Sequence, residues 1–308
     1  MKQIFLIGPT ASGKTALAQN LYDQFPQLSL VNVDATQIYR GLDIGSGKLS
    51  KDDLTSYPHD LINILDPHES YSVNKFLNDL KRIESEIYRD FRIPFLVGGT
   101  MMYFNSILNP LDDIPKTTFE VRKRVEAELV QNGLVWLYEI NLKIDPYLKI
   151  QKNDKQRLQR ALEVFYLSGK PISSFYSKNK LIEDRNILII GLLPKQRSLL
   201  HEVIEKRIHN MFKKGFIEEV RDLYKNNANL NMESNSMRSV GYKQVSMYLN
   251  NEIPKDKLFE KVLFATRQLA KRQITWIKSI SNVCFLDPFD SKLLDQATSL
   301  VGNFLSSK

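Results

Sequence analysis

The chain has 308 residues, 43% hydrophobic and 25% charged, with one cysteine, four histidines and a formal net charge of +8. That composition supports a folded protein of one or two domains and excludes a disordered chain, a disulfide-framed module and a Cys/His zinc cluster. No apolar run approaches membrane-spanning length, so no membrane partner is expected, and the lone Cys284 fits a cytoplasmic protein.

In chain order, Gln3–Ile7 is a short apolar run that predicts a first strand rather than a leader peptide. It leads into Gly8-Pro9-Thr10-Ala11-Ser12-Gly13-Lys14-Thr15, which fits G-x-x-x-x-G-K-[ST], and then into a helical pattern through Leu17 and Leu21. Strand, glycine loop and helix in that order cradle a di- or triphosphate. The glycines turn successive N–H groups toward an anion, Lys14 adds a cation, and Thr15 can offer its hydroxyl to Mg²⁺. The motif does not say which phosphate compound is held. A second strand, Leu28–Val33, ends at Asp34, the carboxylate expected nearest the loop. An apolar patch at Leu61–Leu65 precedes a helix over Val73–Arg89, with Phe76, Leu77, Leu80, Ile83 and Ile87 on one face. Ile93–Val97 predicts another buried strand, ending in Gly98-Gly99-Thr100. That ending offers close backbone approach and a hydroxyl in place of the carboxylate pair of an ordinary ATPase. A helix through Met102, Phe104 and Leu108 follows.

Strands alternating with helices imply an α/β fold with a parallel sheet and functional loops at the strands' C-terminal ends. The rhythm then turns helical over Phe119–Gln131, around Trp136–Leu142 and over Lys155–Leu167. Asn186–Leu193 restores a strand, and helices lead on to a last short strand at Asn282–Leu286. The expected organisation is a P-loop NTPase-like parallel sheet core over 1–115 and 183–308, flanked by helices, with a mainly helical insertion at 116–182. Positive charge is concentrated. Lys116 to Lys180 holds thirteen Lys/Arg against seven Asp/Glu, and Lys255 to Lys278 seven against two, which suggests a polyanionic partner. A small-molecule kinase would use the same phosphate loop. Against it stand the missing second carboxylate motif and the lack of an evident arginine-rich lid.

GPTASGKT, VNVDATQIYRGLDIGSGK, YPHDLINILDP, VGGTMMYFNSIL, NDKQRLQRALEVFYLSGKPIS, RIHNMFKKGFIEEV, RSVGYKQ and LAKRQITWIK occur in this order along nearly the whole chain. Together they closely resemble the bacterial tRNA dimethylallyltransferases. The resemblance implies Mg²⁺-dependent transfer of a dimethylallyl group from dimethylallyl pyrophosphate to N6 of the adenosine 3′ of the anticodon. A tRNA anticodon stem-loop is then the partner and a monomer the working form. Asp34 is implied as general base. Thr100, the phosphate loop and Arg207 are implied on the pyrophosphate. Contacts to tRNA are implied for Asp34, Ala35, Thr36, Gln37 and Thr100, for Arg122 and Lys123, and for Gln156, Arg157, Leu158, Gln159 and Arg160. Arg238, Gly241, Tyr242 and Lys243 complete that set. Met101, Met102 and Tyr103 are candidates to surround the allylic carbon, while Trp276 is expected in the core. The chain departs from the family at Ala35 (usually Ser), at Gly45-Ser46-Gly47-Lys48-Leu49 (usually Gly-Thr-Ala-Lys-Pro), at Met101-Met102 (usually Gly-Leu) and at His59-Asp60 (usually His-His). An isopentenyltransferase acting on free adenine nucleotides is the nearest alternative. The basic insertion and its QRLQR segment favour tRNA.

Overall fold

The computed structural model describes residues 1–176 and 186–307. Among these, six strands form one parallel sheet: β1 (Lys2–Ile7), β2 (Leu28–Val33), β3 (His59–Asp60), β4 (Ile93–Gly98), β5 (Asn186–Leu192) and β6 (Val283–Leu286). Their spatial order is β3-β2-β4-β1-β5-β6. The sheet core is the expected α/β arrangement, and the alternation of side chains along each strand explains why helices cover both faces. Phe5, Ile7, Val31, Val33 and Leu96 point to one side, where they meet α3 (Val73–Arg89), α4 (Met101–Leu108), α7 (Arg197–Lys213), α8 (Phe216–Asn226), α9 (Tyr242–Leu249) and α10 (Lys255–Lys278). Ile4, Leu6, Leu28, Leu30 and Phe95 point to the other, against α1 (Lys14–Gln24) and α11 (Leu293–Ser306). The short α2 (Lys51–Ser56) lies between β2 and β3 in the chain. α3 has the bounds its periodicity predicts, buries Phe76, Leu80, Ile83 and Ile87, and starts where the Ser72 side chain accepts from the Lys75 N–H.

Register positions the chemistry. Ile7 pairs with Gly98, Val33 also pairs with Gly98, and Ile7 pairs on its other side with Gly191. The residues that follow β1, β2 and β4, namely Gly8, Asp34 and Gly99, therefore leave the sheet side by side along its C-terminal edge. Gly98 is required there, because a Cβ would stand 2.0 Å from the Val33 carbonyl oxygen. That carbonyl accepts from the Thr100 N–H at 3.1 Å.

The chain divides into two compact units, Met1–Leu108 with Glu183–Lys308, and Asn109–Ile182. The first junction thus falls at 108/109 instead of the expected 115/116. The reason is packing within the second unit: Ile114 sits against Ala161, Val164 and Ile172, and the Pro115 carbonyl accepts from Arg160 Nη2 at 2.6 Å. The expected junction at 182/183 lies outside the described residues. The second unit holds α5 (Phe119–Ile144) and α6 (Lys155–Ser168) around Val125, Leu129, Leu137, Leu158 and Leu162. α5 is broken at Gly133 (φ 81°), so the two expected helices around Phe119–Gln131 and Trp136–Leu142 abut without a loop.

Candidate active site

A cavity of about 430 Å³ opens at the C-terminal edge of the sheet in the first unit. Its floor is the phosphate loop, Thr10 to Thr15, at the N-terminus of α1. Gly13 takes φ 76° and Ala11 φ 63°, left-handed values that curl the backbone so that its N–H groups converge. The Ser12 hydroxyl is buried with no partner among the described residues, as suits a group awaiting an anionic oxygen. Lys14 Nζ donates to the carbonyls of Gly8 (2.9 Å) and Pro9 (2.7 Å). Desolvation lowers its pKa to about 7, partly opposed by the Asp34 carboxylate and reinforced by Arg207.

Asp34 stands on the wall beside the loop. Its Oδ1 accepts from the N–H groups of Thr36 (2.8 Å) and Gln37 (3.3 Å), which fixes the carboxylate as the pivot of a turn. Its Oδ2 carries no hydrogen bond among the described residues. Thr36 and Gln37 also line the cavity, whereas Ala35 lies behind it. The Thr36 hydroxyl donates to Ser239 Oγ at 3.2 Å and joins this turn to the 238–244 segment. Thr100 does not line the cavity. Its Oγ1 accepts from the Ala35 N–H at 2.9 Å, so it braces the Asp34 turn from behind and keeps its own proton to donate.

Arg207 reaches in from α7, donating from Nη2 to the Ser46 carbonyl at 2.9 Å. Burial lowers its pKa, partly opposed by Asp34. The loop it holds is itself built by two charges. Glu219 accepts from the N–H groups of Asp43 (3.1 Å), Ile44 (2.6 Å) and Gly45 (3.1 Å), and from the Tyr242 hydroxyl (2.6 Å). Lys48 Nζ donates to Tyr39 O, Asp43 Oδ1 and Asn63 Oδ1, each at 2.7 Å.

Several sequence expectations are corrected. Tyr242 is fully buried against Phe216 and bonded to Glu219, so it shapes the loop and offers no surface to RNA. Leu158 is fully buried in the helical unit, because α6 must turn an apolar face inward; Gln156 and Arg157 beside it are exposed, and Gln159 is half-buried. Arg160 is half-buried and committed to Pro115 and, at 3.5 Å, to Glu163. Arg122 reaches the same buried Glu163 at 3.8 Å, while Lys123 is exposed above the Phe119 ring. Arg238 pairs with Glu233, Gly241 lines the cavity and Lys243 is exposed. Met101 and Tyr103 belong to the core, Met102 is exposed, and none of the three lines the cavity. The dry wall comes instead from Ile208, Met211, Phe216, Val262 and Leu269. Trp276 is 38% exposed and not core.

One residue was not anticipated. Gln273 on α10 accepts from the Thr10 N–H with Oε1 (2.8 Å) and donates from Nε2 to the Gly99 carbonyl (2.9 Å). It ties the phosphate loop to the end of β4. Its sequence signal was the helical spacing Val262, Thr266, Leu269, Gln273, whose cavity-facing stripe ends in a buried amide.

Comparison with known proteins agrees with this arrangement. A family model described as IPP transferase matches residues 37–280. The tRNA dimethylallyltransferase of Nitrosomonas europaea is 42% identical over 301 residues, covering 97% of this chain and 94% of its own. That of Vesicomyosocius okutanii is 46% identical over 278 residues, with 90% of each covered. Among solved structures, the tRNA isopentenylpyrophosphate transferase of Bacillus halodurans is 31% identical with a TM-score of 0.72, covering 99% of this chain and 96% of that one. A eukaryotic dimethylallyltransferase acting on tRNA is 26% identical with a TM-score of 0.85, covering 99% and 79%. With a phosphate loop, a strand-end aspartate and a half-buried arginine gathered around one cavity, and relatives matched along nearly its whole length, the chain belongs to the IPP transferase family, that of the tRNA dimethylallyltransferases.

Proposed function

We propose that this protein transfers the dimethylallyl group of dimethylallyl pyrophosphate to N6 of the adenosine 3′ of the anticodon in tRNA. The observation that carries the reading is the shared register of β1, β2 and β4, which sets an anion cradle and a carboxylate with an open oxygen on the walls of one cavity. The adenine N6 lone pair is delocalised into the ring, so N6 attacks well only as its proton is removed. Asp34 Oδ2 takes that proton while N6 bonds to the allylic C1. The C1–O bond breaks, and its electron pair leaves with pyrophosphate. Lys14, Arg207 and the loop N–H groups stabilise the departing charge, while Thr100, outside the cavity lining, holds the Asp34 turn through the Ala35 N–H. The wall of Ile208, Met211, Phe216, Val262 and Leu269 keeps water from the allylic carbon.

Mg²⁺ fits this donor set. Among the described residues no cluster of three or more His, Cys, Asp or Glu exists, but Mg²⁺ favours a few protein oxygens completed by substrate phosphates and water. Thr15 supplies such an oxygen on the cavity wall. Bound there, Mg²⁺ would add positive charge to the pyrophosphate oxygens. Gln156, Arg157, Lys123, Arg238 and Lys243, all exposed, are the side chains we assign to tRNA contact. Two groups of basic residues, thirteen over Lys116–Lys180 and seven over Lys255–Lys278, supply complementary charge. Among the described residues no helix is long and apolar enough to cross a membrane, and we take the working form to be a monomer. Incubation of an anticodon stem-loop with the protein, dimethylallyl pyrophosphate and Mg²⁺ should add one prenyl mass to the RNA. Equal transfer to free AMP would move the assignment to the free-nucleotide enzymes.

A further inference from the structure

A second groove, of about 530 Å³, opens beside the active cavity, and Val240 lines both. α10 is the wall they share. Val262, Thr266, Leu269 and Gln273 recur at helical spacing and face the phosphate cavity. Lys257, Lys261, Phe264, Gln268 and Arg272 recur on the adjacent stripe and face the groove.

The groove combines an aromatic platform, cations and amides. Phe264 is 64% exposed on a helix whose other apolar residues largely turn inward. Lys261 and Arg272 flank it on the same stripe, exposed and with no ion pair among the described residues. Lys257 pairs with Glu260 at 3.7 Å, and Glu252 is the one acidic side chain in the lining. Gln268 brings an amide, and Gln244 keeps its NH₂ to donate because its Oε1 already accepts from the Gly241 N–H. An acceptor base drawn out of an RNA loop loses its stacking, and so does the nucleotide beside it. An exposed ring in a groove that shares Val240 and the α10 wall with the cavity can restore the neighbour's stacking, and nearby cations can hold its phosphate.

We propose that the groove holds the nucleotide adjoining the acceptor adenosine, its base stacked on Phe264 and its phosphate against Lys261 and Arg272. This rests on the RNA-acceptor reading given above. It makes Phe264 a determinant of RNA affinity without a role at the reacting atoms.

The test compares wild type, Phe264→Ala and Phe264→Tyr on three stem-loops: intact, abasic on the 5′ side of the acceptor, and abasic on its 3′ side. Phe264→Ala should raise the KM for the intact stem-loop roughly 10- to 100-fold, the range of a base–aromatic stack, while pyrophosphate affinity stays unchanged. Phe264→Tyr should retain wild-type behaviour. One of the two abasic stem-loops should cost the wild type a similar factor and Phe264→Ala nothing further. Wild-type transfer to the intact stem-loop together with an unchanged KM for Phe264→Ala overturns the groove alone. A Phe264→Ala loss of the same size on all three RNAs also overturns it, since no base would then be what the ring holds. No wild-type transfer to the stem-loop overturns the tRNA reading and the groove with it.

Discussion

Gln273→Leu isolates the clamp between the phosphate loop and β4 at nearly constant volume. In the wild type the amide satisfies a buried carbonyl, Gly99 O at 2.9 Å, and an N–H at the cavity floor, Thr10 N at 2.8 Å. Leucine can do neither. The Gly99 carbonyl still accepts from the Met101 N–H at 3.1 Å, so the mutation removes one bond to it, worth about 0.5–1.5 kcal/mol net. The Thr10 N–H faces the cavity, where water can reach it, so only the net bond of roughly 0.5–1.5 kcal/mol is lost. Together the two lost bonds amount to about 1–3 kcal/mol. The two compact units can unfold separately, so the measurement must report on the first. The chain has two tryptophans, Trp136 in the helical unit and Trp276 three residues beyond Gln273. In a Trp136→Phe background, urea unfolding followed by Trp276 fluorescence reads the relevant transition. Pyrophosphate should recover part of the loss by accepting from Thr10, and the donor KM should rise. A stability change below about 0.5 kcal/mol with an unaltered donor KM would refute the clamp.

Asp34→Asn should lower single-turnover transfer about 10²–10⁴-fold, the range for a positioned base, while stem-loop binding persists; near-normal single-turnover rates would leave Asp34 a binding residue only. Lys14, with its pKa lowered to about 7 against 10.5 in the unfolded chain, is largely neutral above pH 7 in the free protein. Pyrophosphate binding at pH 8 should therefore take up a proton, seen as a buffer-dependent enthalpy that Lys14→Met abolishes, and affinity should fall as pH rises through 7. The unfolded chain binds the extra proton between those two pKa values, so Lys14's contribution to stability should improve as pH rises through that window. Glu219→Ala leaves three loop N–H groups and the Tyr242 hydroxyl without their acceptor. It should cost about 2–4 kcal/mol in unfolding free energy and weaken donor binding through the loosened Ser46–Arg207 contact, both measurable by denaturation and titration.

The phosphate loop was legible in the sequence because its eight residues act through their own backbone, and a neighbouring strand and helix suffice to form it. The same is true of β1, β2, β4 and α3, whose apolar periods are local, and of Asp34, which needs only to end a strand. Leu158 and Tyr242 were misassigned because their motifs interleave buried and exposed positions, and a motif does not say which way each side chain turns. The apolar wall was sought at Met101 and Met102, which follow the loop in sequence. It is supplied by α7, α8 and α10, which lie far along the chain and meet the loop only in space. Gln273 lies 263 residues from Thr10 in the chain, and no local pattern pairs an amide with an N–H so far away. Sequence by itself determined the elements, the anion cradle and the identity of the strand-end residues, because periodicity and turn chemistry act within a few residues. Tertiary structure alone decided which of those residues share a cavity. That depends on the pairing of Ile7 and Val33 with Gly98, where a slip of one position would send every inward side chain to the opposite face and Asp34 out of line with the loop.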